Sequence, residues 1–396
     1  MTDHAEAGSE PSLLYVATVS VTLRHFIAPH ARHLRARGWR VEATANGAAA
    51  DDALRAAVDA AYELPLSRSI LDARGLLRGY RALSRLLADR RDIVHVHTPI
   101  ASFLTRLAAR RLPVERRPAV VYTAHGFHFH RHGHWATNLI FRTAERLAGR
   151  WTDRLIVIND EDFEAATRYH IVPRSRLIRM PGIGLDTNHY ARAALDPATV
   201  ASARTALGIR DGVPMFATVG ELNRNKRQGD AIEALAAMRN RDAMLVVLGD
   251  GESRRQLEAL ASERGVADRV VIRGFVEDPR PVLVGAVALI HPSQREGLSR
   301  SVMEALALEV PVVASTARGN AELVEDSGAI VAIGDTAGLA AAMDRLIDEP
   351  EEARELGRRG RDRMVARYDL EQVILRHDHL YEDVLSHARR TARGRD

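Results

Sequence analysis

Short runs of apolar, largely β-branched residues alternate along the whole chain with longer segments in which apolar positions recur every three or four residues. The short runs are typical of strands buried on both faces of a parallel sheet, and the longer periodicity is typical of amphipathic helices. Regular alternation of the two patterns predicts parallel sheets built from βαβ units. We therefore expect an α/β protein.

The predicted strands fall into two series, separated by a loop, a proline and an alanine-rich helix between Pro181 and Gly212. Because a chain of 396 residues suits two cores of ordinary size, the two series predict two Rossmann-like domains that face a central cleft. The first series consists of residues 13–19, 40–44, 93–97, 119–123, 154–158 and 177–180, and the second of residues 215–219, 244–248, 270–273, 286–290 and 310–314.

The predicted domain boundaries follow from this division. Residues 1–190 form the N-terminal domain and residues 191–372 form the C-terminal domain. Residues 373–396 are predicted to form a C-terminal helix that packs back toward the N-terminal domain and ends in a frayed basic tail. Since ligands of parallel sheets bind at the carboxyl ends of strands, residues that follow strands directly are the candidates for chemistry.

Charge is distributed unevenly between the two halves. Residues 1–190 contain 27 basic and 19 acidic residues, a balance of +8, whereas the remainder contains 29 basic and 33 acidic residues, a balance of −4. A basic half attracts phosphate, anionic lipid or nucleic acid through the same field, but no nucleic-acid-binding motif is present. Two interpretations of this positive charge remain: a phosphate or lipid partner, or a basic surface that is only solvated.

The chain contains no cysteine, which excludes a disulfide framework, a thiolate zinc site and a cysteine nucleophile. Its first ten residues lack the basic and apolar stretches of a secretory signal. No apolar run approaches the roughly 20 residues that span a bilayer. We expect a cytoplasmic protein.

Of the 56 basic residues, 55 are arginine and only Lys226 is lysine. Lys226 lies in the polar loop from Gly220 to Gln228, directly after a predicted strand. Such a loop can bring backbone N–H groups, a helix N-terminus and cations onto a diphosphate, with Arg224 and Lys226 as the candidate cations and Asn223 directly before Arg224. The alternative is an ordinary solvated loop, which the uniqueness of Lys226 disfavours, because a guanidinium cannot reproduce a compact ammonium.

Two carboxylates follow another strand of the second series. Glu296 lies in a loop that contains glycine, and Glu304 lies about one turn inside the next helix. This spacing can place one carboxylate at the sugar end and the other at the ribose end of a nucleotide sugar, since each carboxylate accepts hydrogen bonds from hydroxyl groups. Helix capping with surface carboxylates is the competing interpretation.

The glutamate pair, the loop from Gly220 to Lys226 and the segment Gly249-Asp-Gly251 resemble the retaining glycosyltransferases of family four, which have the GT-B fold. The resemblance implies transfer of a sugar from a UDP-sugar bound by the C-terminal domain to an acceptor bound by the N-terminal domain, without cofactor or metal. It implies that Glu304 holds the ribose, Glu296 the donor sugar hydroxyls, and Lys226 the diphosphate together with the backbone of Gly297, Leu298 and Ser299. Many relatives have arginine where this chain has Glu221, so Arg224 is the candidate replacement.

A narrower resemblance is carried by the segments Gly220-Glu-Leu-Asn223, Tyr122–His130, Ile158–Asp162 and Pro181–Asp186. They are similar to a subgroup that assembles exopolysaccharides and lipid-linked glycans, including hexosaminyl transferases that act on undecaprenyl-diphosphate sugars. This implies transfer of an N-acetylhexosamine or hexose to a lipid-linked saccharide at the inner face of the plasma membrane. It also implies that His125 stabilises the positive charge at the anomeric carbon, making His125, Glu296 and Lys226 the catalytic set.

Weaker signals surround the N-terminal motifs. Arg24, His25 and His30 are candidate contacts for an acceptor phosphate, although a plain amphipathic helix explains the two histidines equally well. Arginines around three apolar residues predict a membrane-facing patch. The members of this patch are Arg106, Arg110, Arg111, Arg116, Arg117, Phe103, Leu104 and Leu107.

A metal site is not expected. The histidine cluster has dense spacing that resembles no rigid ligand geometry. Asp160-Glu-Asp162 lies at the start of a predicted helix. These carboxylates are better explained as its N-cap and as partners of the helix dipole than as metal ligands. The cluster comprises His125, His128, His130, His132 and His134.

Three rival functions are also compatible with the sequence. A transferase of antibiotic assembly would use a soluble aminocyclitol or aglycone as acceptor. A nucleotide-sugar epimerase would need no acceptor, and an inactive nucleotide-sugar-binding protein would bind UDP without turnover.

Overall fold

The computed structural model describes residues 10–67, 69, 71–130 and 133–393, with side chains as far as His387. The chain divides into two compact units. The N-terminal unit consists of Met1–Ile183 with Val373–Asp396, and the C-terminal unit consists of Gly184–Gln372.

The C-terminal unit begins at Gly184, before the predicted boundary at residue 191. Leu185 and Tyr190 are buried in the core of this unit, and Leu185 also pairs with Asp369 in a parallel bridge. The segment after Pro181 therefore belongs to the C-terminal core rather than to the N-terminal unit.

The N-terminal unit contains a parallel seven-stranded sheet of order β3-β2-β1-β4-β5-β6-β7. Six of these strands coincide, within a few residues, with the predicted apolar runs, whereas the edge strand β3 was not predicted because it is short and rich in alanine. The strands are β1 (Ser12–Val19), β2 (Arg40–Asn46), β3 (Ala60–Glu63), β4 (Ile93–Val96), β5 (Ala119–Ala124), β6 (Arg154–Val157) and β7 (Leu177–Arg179). The helices are α1 (Ser20–Phe26), α2 (Ala28–Ala36), α3 (Asp52–Ala57), α4 (Ala73–Leu86), α5 (Pro99–Arg111), α6 (Trp135–Gly149) and α7 (Asp160–Arg168).

The C-terminal unit repeats the plan with a parallel six-stranded sheet of order β10-β9-β8-β11-β12-β13. Its edge strand β13 begins with a glycine and an alanine and was also not predicted. The strands are β8 (Met215–Val219), β9 (Met244–Leu248), β10 (Val270–Gly274), β11 (Ala288–His291), β12 (Val312–Ser315) and β13 (Gly328–Val331). The helices are α8 (Pro197–Ala206), α9 (Gln228–Ala237), α10 (Arg254–Glu263), α11 (Arg280–Val284), α12 (Arg300–Ala307), α13 (Asn320–Val324), α14 (Thr336–Asp348) and α15 (Pro350–Arg363).

The last helix, α16 (Leu370–Arg393), belongs to the N-terminal unit from Val373 onward. Its Tyr381 is buried against β1 and β4, with its hydroxyl 3.2 Å from the Tyr15 hydroxyl. Asp378 receives hydrogen bonds from His33 and Arg37 of α2 and its C-cap, each at 2.6 Å. Within the described ranges, no helix is long and apolar enough to cross a bilayer.

In each sheet the chain winds away in opposite directions from two neighbouring central strands, β1 and β4 in one unit and β8 and β11 in the other. Beyond the carboxyl ends of such a pair, the loops diverge and leave a crevice in which ligands of this fold class bind. The loop after β8 and the loop after β11 hold the two strongest motifs of the sequence.

Candidate active site

The loop after β8 is built to hold a compact turn beside the loop after β9. The backbone N–H of Leu222 donates to the Asp250 carbonyl at 2.9 Å. Gly249 has a φ of +143°, and a Cβ at this position would collide with the Gly220 carbonyl oxygen. Glycine is therefore required at this position in the Gly249-Asp-Gly251 segment, because a side chain would separate the two loops.

A second set of bonds ties the loop after β8 to the loop after β11. The Asn223 side chain accepts the N–H of Lys226 at 3.1 Å, which closes the turn, and Asn225 donates to the Arg295 carbonyl at 2.9 Å. The N–H of Gln294 in turn donates to the Asn225 carbonyl at 2.7 Å. These bonds bring residues that lie 70 positions apart in the sequence, Lys226 and Glu296, into contact.

Lys226 and Glu296 form an ion pair, with 2.7 Å between Nζ and Oε1. The Nε2 atom of buried His291 lies 3.1 Å from the same oxygen and 3.1 Å from Ser293 Oγ. Burial by itself would raise the pKa of Glu296, but the His291 hydrogen bond and the Lys226 charge outweigh it and hold that pKa well below its usual range. The ion pair leaves two N–H groups of Lys226 for a ligand, and Glu296 Oε2 accepts no bond from the described residues.

Glu304 lies in α12 and is also held through a single oxygen. The Tyr190 hydroxyl and Arg300 Nε each donate to Oε1 at 2.8 Å, which leaves Oε2 without a donor among the described residues. Burial and the adjacent carboxylate raise the pKa of Tyr190 to about 12, so the tyrosine stays a donor throughout the neutral range. A fixed carboxylate with one unused oxygen can accept hydrogen bonds from a vicinal diol.

The segment from Gly297 to Ser299 leads directly into α12, which begins at Arg300. Ser299 is the N-cap but makes no side-chain capping bond, and its hydroxyl lies 3.1 Å from that of Ser301. The first N–H groups of a helix have no partner within the helix and carry a partial positive charge, so this end suits an anion. Leu298 is half-buried beside it.

Arg224 is exposed at the tip of the loop after β8 and forms no ion pair with any described residue. Glu221, at the position where the family resemblance implies an arginine, is exposed as well. Arg224 is therefore the cation in this loop that is available to replace the missing arginine.

In the N-terminal unit, His125 follows β5 directly and is half-buried. Its Nε2 lies 3.1 Å from Nδ1 of buried His97, and its ring packs against Phe26 with 5.6 Å between ring centroids. Burial, with the nearby His377, lowers the pKa of His125 to about 4, so its imidazole is neutral at pH 7. A neutral imidazole can act as a dipole or hydrogen-bonding group, but it is a weak base.

His97 and His95 extend this cluster toward α16. Their rings lie 4.1 Å apart because residues two positions apart on a strand share a face. His95 bonds to the Tyr381 hydroxyl at 2.6 Å and to the Thr123 hydroxyl at 2.8 Å. Burial lowers the pKa of both histidines well below the ordinary value.

The predicted acceptor contact of His30 is wrong. His30 is 3% exposed, its Nε2 lies 3.0 Å from the Ile183 carbonyl, and its ring packs edge-on against His377. Arg24 is partly exposed and 3.5 Å from Asp51, and His25 is exposed beside it. Only Arg24 and His25 are thus placed where a ligand could reach them.

The predicted membrane-facing patch is also wrong in one member. Arg106 is 1% exposed, since its guanidinium bonds to Glu145 at 3.0 Å and stacks on the Tyr122 ring at 4.5 Å. Its charge is neutralised inside the unit. Arg110, Arg111 and Arg116 are exposed, while Arg117, Phe103, Leu104 and Leu107 are half-buried.

The negative expectation for a metal site stays a prediction. In the described part of the chain, no three His, Asp or Glu side chains are placed to hold a metal ion, and His132 lies outside that part. Asp160 and Asp162 occupy the first turn of α7, whose N-cap is Asn159 rather than a member of the acidic run.

Comparison with known proteins decides the family. The family model "Glycosyl transferase 4-like domain" matches residues 23–182, and the model "Glycosyl transferases group 1" matches residues 200–363. The putative glycosyltransferase EpsD of Bacillus subtilis is 33% identical over 88% of this chain and 91% of its own length. The chain is a family four glycosyltransferase. The predicted enzyme class is confirmed, and the epimerase alternative is removed.

A second relative and a solved structure are also similar to this chain. The UDP-Gal:alpha-D-GlcNAc-diphosphoundecaprenol alpha-1,3-galactosyltransferase of Escherichia coli is 27% identical over 71% of this chain and 72% of its own length. The crystal structure of Anabaena Alr3699/HepE in complex with UDP and glucose superposes with a TM-score of 0.79 at 19% identity, covering 94% of this chain and 100% of that chain. The predicted GT-B fold is confirmed.

Sequence reasoning missed three residues that hold the two glutamates of the glycosyltransferase. Arg300 could have been found, because it precedes Glu304 by one helical turn and such pairs commonly form ion pairs. His291 is the last residue of β11, five residues before Glu296, and its position directly after the predicted strand 286–290 was a usable signal. Tyr190 comes from a segment 114 positions away, and nothing in the sequence near Glu304 indicates it.

Proposed function

We propose that this glycosyltransferase moves a hexose or N-acetylhexosamine from a UDP-sugar to a lipid-linked saccharide, with retention of configuration, in the assembly of a cell-surface polysaccharide or glycan. The observation that carries the donor proposal is the pair of glutamates, each held through one oxygen, on either side of a helix N-terminus and beside Lys226. The Escherichia coli relative, named as a UDP-galactose enzyme acting on a diphosphoundecaprenol acceptor, supports the donor and acceptor classes.

Each donor group has a proposed partner in the C-terminal unit. The diphosphate lies against Lys226, Arg224 and the backbone N–H groups that begin α12. The ribose hydroxyls donate to Glu304 Oε2, and hydroxyls of the sugar donate to Glu296 Oε2. Lys226 would then bridge Glu296 and the diphosphate, because an ammonium has three donors and the ion pair uses one.

The proposed chemistry needs no strong base. The bond between the anomeric carbon and the UDP oxygen breaks, the acceptor oxygen bonds to the same face of that carbon, and its proton passes to the departing phosphate oxygen. Neutral His125 stabilises the positive charge on the sugar through its dipole, and its low pKa makes it a poor proton acceptor. Lys226 and the α12 N-terminus stabilise the charge that develops on the leaving diphosphate.

A binding and transfer experiment tests this assignment. Glu304→Gln should weaken UDP binding in calorimetry by about tenfold, because an amide accepts weaker hydrogen bonds than a carboxylate. Glu277→Gln, on an exposed residue of the same unit, is the matched control and should leave UDP binding unchanged. Unchanged binding by Glu304→Gln would remove the residue from the donor site.

The stereochemistry and the acceptor need separate measurements. Proton NMR of the product should show the anomeric configuration of the donor, and an inverted product would refute the retaining mechanism. Undecaprenyl-diphosphate saccharide should be glycosylated and a free aminocyclitol should not. Transfer to the aminocyclitol alone would favour the soluble-acceptor alternative.

We also propose that the N-terminal unit rests on an anionic membrane surface. One face of α6 exposes four large apolar side chains, Trp135 (73%), Leu139 (45%), Ile140 (66%) and Leu147 (42%). The helix also carries exposed Arg146, and the residues up to Tyr190 have the balance of +8 already described. An apolar helix face on a basic body is suited to an anionic interface.

Vesicle sedimentation tests the membrane proposal. Trp135→Ser with Ile140→Ser should release the protein from phosphatidylglycerol vesicles, whereas Phe275→Ser, which alters a 77% exposed aromatic residue of the C-terminal unit, should not. Equal sedimentation of both variants, or none by the parent protein, would contradict the proposal.

A further inference from the structure

The N-terminal unit contains a cavity of about 900 Å³ at the amino ends of its strands. Its wall includes Asp92, which precedes β4, the start of β5 at Ala119, and Arg154 at the start of β6. His125 follows the other end of β5, a strand of six residues that spans roughly 20 Å. This amino-edge cavity is therefore separate from the carboxyl edge, where the unit's candidate catalytic residue lies.

The wall of the amino-edge cavity is strongly basic. It contains eight arginines and three acidic residues, a net charge of +5. The three acids are Asp92, Glu115 and Asp153. Asp92 already accepts the Ser12 N–H at 2.9 Å and the Ser12 hydroxyl at 2.8 Å, and Asp153 accepts the Val120 N–H at 2.7 Å.

Only two of the eight arginines are neutralised by a close ion pair with a residue outside the cavity wall. Arg91 bonds to Glu42 at 2.7 Å, and Arg154 bonds to Asp383 at 2.7 Å. These two arginines contribute little attraction for a ligand.

Two further arginines are fixed in place but keep their charge. Arg117 donates to the Leu112 carbonyl at 2.9 Å, and Arg176 donates to the Thr152 carbonyl at 3.3 Å. A carbonyl holds the guanidinium without neutralising it, so the remaining N–H groups are available.

The remaining four arginines, Arg90, Arg110, Arg116 and Arg150, are exposed at the cavity. Their side chains form no hydrogen bond or ion pair with other residues that the structure describes. Like charges gathered in one concavity repel each other and focus a positive potential, which a bound anion relieves. A planar guanidinium matches two phosphate oxygens, so several of them around one space select clustered phosphates.

We propose that the amino-edge cavity binds an anion that carries at least two phosphate groups, at a site distinct from the donor site. Its volume falls in the range of roughly 300–1,000 Å³ that is typical of small-molecule sites. The phosphates could belong to a soluble polyphosphate or to a lipid headgroup, since both offer the same oxygens to the arginines.

Titration calorimetry with sodium tripolyphosphate tests the proposal. It is carried out in a Lys226→Ala background, so that the proposed donor site does not take up the probe. Arg110→Glu with Arg150→Glu should weaken binding about tenfold or more, since charge-assisted hydrogen bonds are lost and repulsion is gained. Arg74→Glu with Arg81→Glu reverses two exposed charges of α4 outside the cavity and should leave the affinity within about twofold.

A second arm distinguishes the two sources of phosphate. If tripolyphosphate binds and the cavity variant loses it, while the same variant binds vesicles as the parent protein does, the ligand class is soluble. If only vesicles that contain cardiolipin, whose headgroup carries two phosphates, bind, and the same variant loses them while phosphatidylcholine vesicles bind neither protein, the ligand is a headgroup. If the cavity and α4 variants behave alike in both arms, or neither probe binds, the proposal is overturned.

The outcome is independent of the donor proposal. In an otherwise unaltered chain, the cavity variant should keep the parent affinity for UDP, because its substitutions lie in the other unit. Loss of UDP binding by Glu304→Gln with tripolyphosphate binding intact, or the reverse, would therefore separate the two sites.

Discussion

At the carboxyl ends of β8 and β11 the C-terminal unit places two ion pairs, Lys226–Glu296 and Arg300–Glu304, with one oxygen of each carboxylate left for a ligand. At the carboxyl ends of β4 and β5 the N-terminal unit places His97 and His125, whose pKa values burial lowers. The same strand order thus supports a charged edge in one unit and a neutral edge in the other.

This difference indicates how two units of the same architecture can serve different substrates of one transfer reaction. A diphosphate needs fixed cations, and a sugar needs carboxylates, so the charged edge is the one suited to the donor. If the acceptor binds at the neutral edge, as we propose, it is not held there by strong ion pairs, which would stabilise the ground state as well as the transition state.

The difference between the charged and the neutral edge is tested most directly at Lys226. Lys226→Ala should lower kcat/KM for transfer by about a hundredfold or more, because it removes a cation from the leaving diphosphate and leaves Glu296 without its partner. Steady-state kinetics with a UDP-sugar measures the loss. Arg255→Ala, which removes an exposed cation from the same unit, is the control, and comparable activity in both variants would show that the charged edge is not the donor site.

Acid should affect the neutral edge before the charged edge. Burial lowers the pKa of His30 to about 3 and that of His125 to about 4, both from an ordinary value of 6.5. Below pH 6.5 the unfolded chain binds these protons and the folded chain does not, so stability present above 6.5 is lost as the pH falls. The loss is about 2 kcal/mol for each of the two histidines between pH 6.5 and 5.

Glu296 provides the contrast, because its pKa is lowered from 4.5 and its contribution is lost only as the pH falls below that value. Hydrogen exchange at pH 7.5 and 5 should therefore show that β4 and β5 lose more protection than β8. The C-terminal unit should also lose some stability, because burial lowers the pKa of His291. His30→Gln should flatten the pH dependence of unfolding. Equal losses of protection in both sheets would contradict the expected difference in acid sensitivity.

A smaller effect is expected at His125. His125→Ala should lower kcat about tenfold, or about 1.4 kcal/mol in activation free energy, by removing one dipole from the proposed transition state. UDP affinity should stay the same, since the UDP contacts lie in the C-terminal unit. His128→Ala, an exposed histidine of the same loop, is the control, and a change in UDP affinity without a change in kcat would remove the catalytic role.

The smallest expected effect is at Tyr190. Tyr190→Phe removes the hydrogen bond that a neutral donor makes to Glu304 while the Arg300 bond remains, so UDP affinity should fall about threefold. Calorimetry with UDP measures this change. A loss as large as that of Glu304→Gln would mean that Tyr190, rather than Arg300, holds the carboxylate in place.

Much of the fold was predictable because buried strands are continuous apolar runs, as in Met215–Val219 and Met244–Leu248. The edge strands β3 and β13 escaped prediction, since edge strands need fewer apolar residues and theirs are short. Glu296, Glu304 and Lys226 were proposed from their positions after strands and from family resemblance. The contact between Lys226 and Glu296, which are 70 residues apart, depends on tertiary structure.

The errors have a common physical cause. Arg106 was placed on the surface because it is an arginine in a basic segment, but a glutamate 39 residues away and a tyrosine ring make its burial favourable. His30 was assigned to a ligand on residue type in the same way. The exposure of a single polar residue on an amphipathic helix is set by partners that lie far away in the sequence.

Because every other basic side chain except histidine is an arginine, Lys226 is the only primary amine on any side chain of this enzyme. An amine-directed acylating reagent has no other side chain to modify, apart from the α-amino group at the start of the chain. The Lys226 side chain is 22% exposed, so a single acylation would attach a chemical reporter beside Glu296 and remove the charge of its partner. The extent of labelling, read by mass spectrometry, would then report directly on occupancy of that position.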